Sequence, residues 1–381
     1  MRAAGSPAHE PAHGAAAVAD RLAGSLWAVP LVGVAVFALQ LFAVLLRPAD
    51  AVVSAWWPAA GVAIAATILA PGRRRWAVLA AVAVASMASP MVAGRPPVAG
   101  LWLVVISCSE AAIAGHLLIR AGRPELRTVS DLRRLLVVLL AAALVSGGLG
   151  ALSIVLRFDG NPWTTWWAVA ASHGAAALIL VPQVMVLPEP GAARRPVETV
   201  ALWSALIISI LAVFAPGQRL SVAFLPVAAL VCSGLRLSIR TVSAQLVVTG
   251  VLASALTVQG GGPFAAARSV APETPGGLVQ LFLVVCALVA FALIISVAQR
   301  DAAIAALADQ LRFGRAMVDV LDVGVVACDA AGAVVMRNAA HRRLLGVADG
   351  QQPAPGGLAC VFGCSSTVSR WPRTSWTRAA C

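Results

Sequence analysis

The sequence predicts an all-α polytopic membrane protein of eight to ten transmembrane helices, ten being favoured, followed by a small incomplete α/β segment. Three observations carry that prediction. The chain is 60% hydrophobic and 12% charged, where soluble domains are about 25% charged. Ten apolar stretches fill residues 25–298. The arginines between them alternate between rich and poor loops. A formal net charge of +12 in a soluble protein would suggest nucleic acid, but here the arginines sit in short loops beside apolar spans. Bilayer topology accounts for them, so the expected partner is lipid and not nucleic acid.

The spans run 25–46, 58–70, 76–92, 98–119, 134–156, 166–187, 199–215, 220–235, 241–258 and 276–298. Most approach the roughly twenty residues that a helix needs to cross the hydrocarbon. The second and third are short and separated only by Pro71-Gly72-Arg73-Arg74-Arg75, and the eighth is also short. The stretch 1–24 has no compact signal-peptide organisation and reads as a cytoplasmic tail.

With that tail inside, the inner loops carry Arg2, Arg21, Arg73, Arg74, Arg75, Arg120, Arg123, Arg127, Arg133, Arg134, Arg194, Arg195, Arg236 and Arg240. The outer loops carry one each, at Arg47, Arg95, Arg157, Arg219 and Arg268. Merging the second and third spans would put the 120–134 cluster outside, against the positive-inside tendency. Two compensating merges restore the parity and give eight. Either even count leaves both termini in the cytoplasm and the chain in the inner membrane, with Arg73, Arg74, Arg75, Arg133 and Arg134 setting the topology.

Ionisable groups inside spans are costly and face a bundle interior or cavity. Glu110 is the one carboxylate well inside a span, six residues before His116, and His173 lies in the sixth. The pair suits a structural or signalling role, and it also suits a proton relay. Trp27, Trp56, Trp57, Trp76, Trp102, Trp163, Trp166 and Trp167 fall near span ends, where indoles anchor at the interface; an aromatic ligand cage is the other reading. Pro58, Pro182 and Pro226 free backbone carbonyls and shape the bundle. Cys108, Cys232 and Cys286 read as small buried thiols. Cys360 and Cys364 lack His or Asp at ligand spacing, so neither a metal nor any other cofactor is expected.

After Arg300 the texture changes. Ile304, Leu307, Leu311, Val318 and Leu321 recur at helical spacing, which predicts a linker helix over 299–321 with a face that can pair two copies. Residues 323–329 read as a strand, Asp329 to Gly332 as a turn, and 333–337 as a second strand. Asn338 can cap a short helix through Leu345. Beyond Gly346 the signal thins, and two strands and a helix bury little apolar area.

Trp56-Trp57-Pro58-Ala59-Ala60-Gly61-Val62-Ala63, with the Arg triplet and Trp76, resembles the first membrane-associated sensor (MASE) family of bacteria. So do Ser109-Glu110-Ala111 through Arg120, Trp166-Trp167 with Gly174 and Pro182, and Phe224-Leu225-Pro226 through Leu237. The resemblance covers residues 25–298. Where that family commonly has an Asp ahead of the sixth-span glycine, this chain has Ala171-Ser172-His173 before Gly174. Residues 324–346 resemble the start of a PAS domain, giving a partial domain over 322–360.

The resemblance implies a sensory protein that passes a small-ligand or membrane signal through the linker to an output domain. No cyclase, phosphodiesterase or kinase motif is present, so the expectation is a non-enzyme, a truncated relative of such signalling enzymes. A transporter or permease is the alternative. Glu110, His116, His173, Trp57, Pro58 and Pro182 are the candidates for signal perception or helix packing. The tail 361–381, dense in Arg and Trp, reads as a shifted frame. Genomic sequence from codon 350 onward tests this: the idea requires an open shifted frame that encodes a PAS continuation.

Overall fold

The computed structural model describes residues 25, 27–45, 47, 54, 56–120, 122, 124–157, 160–185, 196–218, 222–269, 274–329 and 334–345. The expectations for the 1–24 tail, for Gly332 and for 361–381 lie outside the described residues. The chain divides into two units, Met1–Arg300 and Asp301–Cys381.

The first unit is helical: α1 Ala28–Leu45, α2 Pro58–Leu69, α3 Arg74–Val92, α4 Pro97–Ile119, α5 Val129–Arg157, α6 Pro162–Leu180, the short α7 Pro182–Met185, α8 Pro196–Phe214, α9 Phe224–Arg236, α10 Ile239–Val258 and the start of α11 Thr274–Val320. Among the described residues, eight helices are long and apolar enough to cross a membrane. The fold is therefore that of an all-α polytopic membrane protein. The remaining two apolar helices, α2 and α9, have 12 and 13 residues. At 1.5 Å per residue each reaches only about 20 Å, against about 30 Å of hydrocarbon.

Local chemistry explains where the helices start and stop. Prolines occupy the first turns of α2, α4 and α6, where the missing N–H would be unpaired anyway. Asn161 caps α6, its side-chain oxygen accepting the Trp163 and Thr164 amides at 2.9 and 3.3 Å. Ser238 caps α10 in the same way through Thr241 N–H. Arg134 donates to the Leu117 and Leu118 carbonyls, both at 3.0 Å, so it satisfies the C-terminal end of α4.

The short α2 is the most enclosed helix, with Pro58, Ala59, Ala60, Gly61, Ala63, Ile64 and Thr67 all buried. It packs against α1, α4 and α6. Small residues allow this: a Cβ on Gly61 would stand 2.6 Å from Ala176 O, and one on Gly115 of α4 would stand 2.6 Å from the Thr67 methyl. Elsewhere Phe214 of α8, Phe264 and Phe282 of α11 meet as a ring trio with centroids 5.8–5.9 Å apart.

Several expectations are corrected here. Trp27, Trp76 and Trp163 are exposed, as interfacial indoles would be, but Trp56 and Trp57 are 6% and 7% exposed and sit in the bundle. Cys286 is buried, whereas Cys232 faces outward and Cys108 is half-buried. The outward face of α9 carries Cys232, because its buried side is Pro226, Leu230, Ser233 and Gly234.

In the second unit, the 301–320 part of α11 continues without a break from the apolar part and is mostly exposed. It leads to β1 Val326–Cys328, β2 Val334–Arg337 and α12 Ala339–Leu345. The strands pair antiparallel with Val326 opposite Arg337 and Ala327 opposite Met336. Buried Asn338 organises this segment. Its Oδ1 accepts the Val325 and His341 amides at 2.8 and 2.9 Å, capping α12, and its Nδ2 donates to Val318, Leu321 and Val323 carbonyls. Asp319 accepts the Ala339 amide at 2.7 Å.

Two predictions follow from packing and charge. Gly61→Ala should destabilise the bundle by about 1–3 kcal/mol through overpacking, while Gly148→Ala, with nothing within 4 Å, should not. Thermal unfolding in detergent checks this; equal midpoints for the two variants refute it. In the second unit, burial and then Arg337 hold buried His341 below the usual imidazole range. The unfolded segment therefore binds more protons, so stability is full above about pH 6.5 and falls as pH drops below it. Amide protection factors at Val325 and His341, which compare each rate with its intrinsic value at the same pH, should fall at pH 5.5 relative to 7.5, and His341→Gln should remove the difference.

Candidate functional site

The chemistry-bearing groups of the bundle meet where α2, α4 and α6 converge. On α4, Ser107, Glu110, Ala111, Ala114 and Leu118 form one buried face. On α6, Val169, Ser172, His173, Ala176 and Ala177 do the same. Both helices pack on α2 and on α5. Between these two faces Glu110 Oε2 meets His173 Nδ1 at 2.5 Å, with the residues 1% and 4% exposed.

The third member comes from the turn into α2. Trp57 is the residue before α2, and Pro58 fixes the first helical position behind it. The Trp57 indole stacks on the His173 ring, centroids 5.7 Å apart and planes within 5°. Its Nε1 is buried without a hydrogen-bond partner in the protein. A flat indole face lies over the imidazole, and a carboxyl group meets the imidazole edge in a charge-assisted or neutral hydrogen bond. The site is thus an aromatic-covered acid–base pair shielded from solvent.

Of the other candidates, Pro182 lies buried at the start of α7, just after the end of α6 and about two and a half turns beyond His173. The α7 turn is tied to its neighbours by Gln183 donating to Arg240 O and by Leu126 N–H donating to Met185 O. His116 is not brought in. It sits exposed in the last turn of α4, because six residues along a helix carry it away from the Glu110 face. Among the arginines, Arg74 donates to Ser25 O and Arg75 to Ala70 O, while Arg73 and Arg133 are exposed. Asp329 is exposed beside β1.

A second polar cluster escaped sequence reasoning. Gln40 on α1 donates to Ser86 of α3 at 2.9 Å and to Ser107 of α4 at 3.3 Å, and accepts from Ser89 of α3 at 3.1 Å. All four are buried, and Ser107 is one helical turn from Glu110. The available signal was Gln40 itself, the one polar side chain in the apolar run Ala28–Leu45. Serines in α3 and α4 give no such signal, since a serine can bond its own helix.

No family model, curated protein or solved structure matches the chain. Any functional reading rests on this geometry and on the sequence.

The pair has a measurable signature. Removing Glu110 leaves a buried imidazole without its acceptor, so Glu110→Ala should cost about 3–5 kcal/mol of bundle stability. His173→Ala should cost a similar amount, and the double variant less than their sum by about 1–3 kcal/mol. Reversible unfolding of the four proteins in mixed micelles measures that coupling. Strict additivity would mean the two groups do not interact.

Proposed function

We propose that this chain is a membrane sensory module that relays a signal from its helical bundle to a cytoplasmic segment. The observation that carries the reading is the unbroken α11. Its first part is buried in the bundle, at Val279, Leu283, Ala287, Phe291 and Ile295, and its last part is exposed beyond Arg300. A continuous helix transmits rotation or translation along its axis, which a flexible linker does not. The resemblance of 25–298 to the first MASE family and of 324–346 to a PAS start supports the same reading, as does the ion pair covered by Trp57.

In this proposal the protein lies in the inner membrane with both termini cytoplasmic, and α2 and α9 complete a ten-span topology as short crossings. The arginine alternation supports this orientation. The reading assigns no catalytic residue, no metal and no cofactor. Two copies pair through the linker. Ile304, Leu307 and Leu311 are exposed at three- and four-residue spacing, and Val318 follows one heptad after Leu311, in the register of a short coiled-coil seam interrupted at Gly314. Membrane insertion fixes the direction of both copies, so the pairing is parallel.

The test uses Leu311→Cys in a chain whose other cysteines are replaced. Two copies should form a disulfide at this position, and Glu110→Gln should change its rate severalfold while leaving the helical content intact. A rate untouched by Glu110→Gln removes the sensor reading. Solute uptake in proteoliposomes that vanishes with Glu110→Ala would assign the chain to transport.

A further inference from the structure

The described residues include a cleft that the acid–base pair does not use. It opens between the C-terminal end of α1 and the second half of α10, with a cavity volume of about 110 Å³. Phe42 and Ala43 form one wall, Val251, Ala255 and Val258 the other, and Ser54 and Trp56 the floor. The cleft holds part of a ligand whose remainder extends through the open mouth, and like small-molecule sites it combines apolar walls with a few polar groups.

The polar groups are specific. Trp56 and Ser254 both line the cleft, and the Trp56 Nε1 and Ser254 Oγ are buried without a hydrogen-bond partner among the described residues. Both residues are at least nine-tenths buried. An indole N–H only donates and a hydroxyl can donate, so the group they leave unmet is an acceptor. Gly250 sets the indole in place: a Cβ there would stand 3.1–3.3 Å from the six-membered ring of Trp56.

The cleft also communicates with the ion pair. Trp56 forms its floor, and Trp57, the next residue, stacks on His173. Pro58 holds the two indoles at the entrance to α2.

We propose that this cleft binds an apolar, chain-like molecule bearing a carbonyl oxygen, which the Trp56 N–H and the Ser254 hydroxyl recognise. The proposal rests on the sensory reading and supplies its input site. The carbonyl belongs either to an ester of the surrounding lipid or to a diffusible ketone, aldehyde or ester.

The experiment uses the full chain in lipid nanodiscs and a ten-carbon ketone with a terminal diazirine, with labelled residues located by peptide mass spectrometry. Label should collect on the Phe42 and Val251–Val258 peptides. 2-Decanone should displace it better than decane at equal mole fraction in the bilayer. Ser254→Ala and Trp56→Phe should each weaken displacement roughly three- to tenfold, the loss of one hydrogen bond. Ala255→Trp should abolish labelling by filling the cleft. If Ala255→Trp does not fold, the near-isosteric Ser254→Ala still decides the matter.

Stronger displacement in discs of ether-linked lipid than in ester-linked lipid identifies a lipid ester as the natural occupant. Equal displacement in both identifies a diffusible carbonyl compound. Equal potency of decane and 2-decanone, or labelling unaffected by either polar substitution in folded protein, overturns the site. Ketone binding that leaves disulfide formation at Leu311→Cys unchanged overturns the sensory reading and leaves the site standing.

Discussion

A carboxylate at 1% exposure among apolar helices must be paired, and the arrangement of the front half of the bundle follows from how Glu110 is paired. Its partner His173 lies 63 residues on, so the contact fixes α4 against α6 across a long stretch of chain. The intervening α5 packs on both helices, and α2 fills the remaining side. Trp57 then covers the imidazole, which sets the end of α2. The Gln40 cluster extends the same requirement to α1 and α3, where uncharged groups satisfy one another at lower cost.

Much of this was legible in the sequence because bilayers impose strong rules. Apolar runs located each long helix of the bundle, with ends displaced by up to seven residues, as where the expected 166–187 span meets α6 Pro162–Leu180. Glu110 and His173 stood out since ionisable groups in spans are rare. What the sequence does not carry is direction around a helix axis. His116 looked like a neighbour of Glu110 along the chain, yet lies on another face. Trp56 and Trp57 looked like interfacial anchors because they stand at the start of a span, but both turn into the bundle, where Trp57 stacks on His173.

The Gln40 cluster and the cleft illustrate a deeper limit. Ser86, Ser89 and Ser107 become a network only when three helices meet, and Ser254 lines a cleft only because α1 and α10 stand apart there. Neither condition is local. In the second unit the opposite holds: the cap at Asn338 follows from its place between a strand and a helix. Its bonds back to Val318, Leu321 and Val323 depend on the turn of the chain and were not readable.

The shortness of α2 bears on how the protein is made. A twelve-residue helix is a weak insertion signal, and its seat on α6, where Gly61 meets Ala176 and Leu180, is synthesised only after α3, α4 and α5 have emerged. Its docking is therefore a late event, made within the bilayer among helices already inserted. The ion pair closes at the same stage, since it needs α6 as well. Insertion of the long spans and completion of the site are then separate steps, and defects at Gly61 or Glu110 would leave a correctly threaded but unfinished bundle for membrane quality control to find.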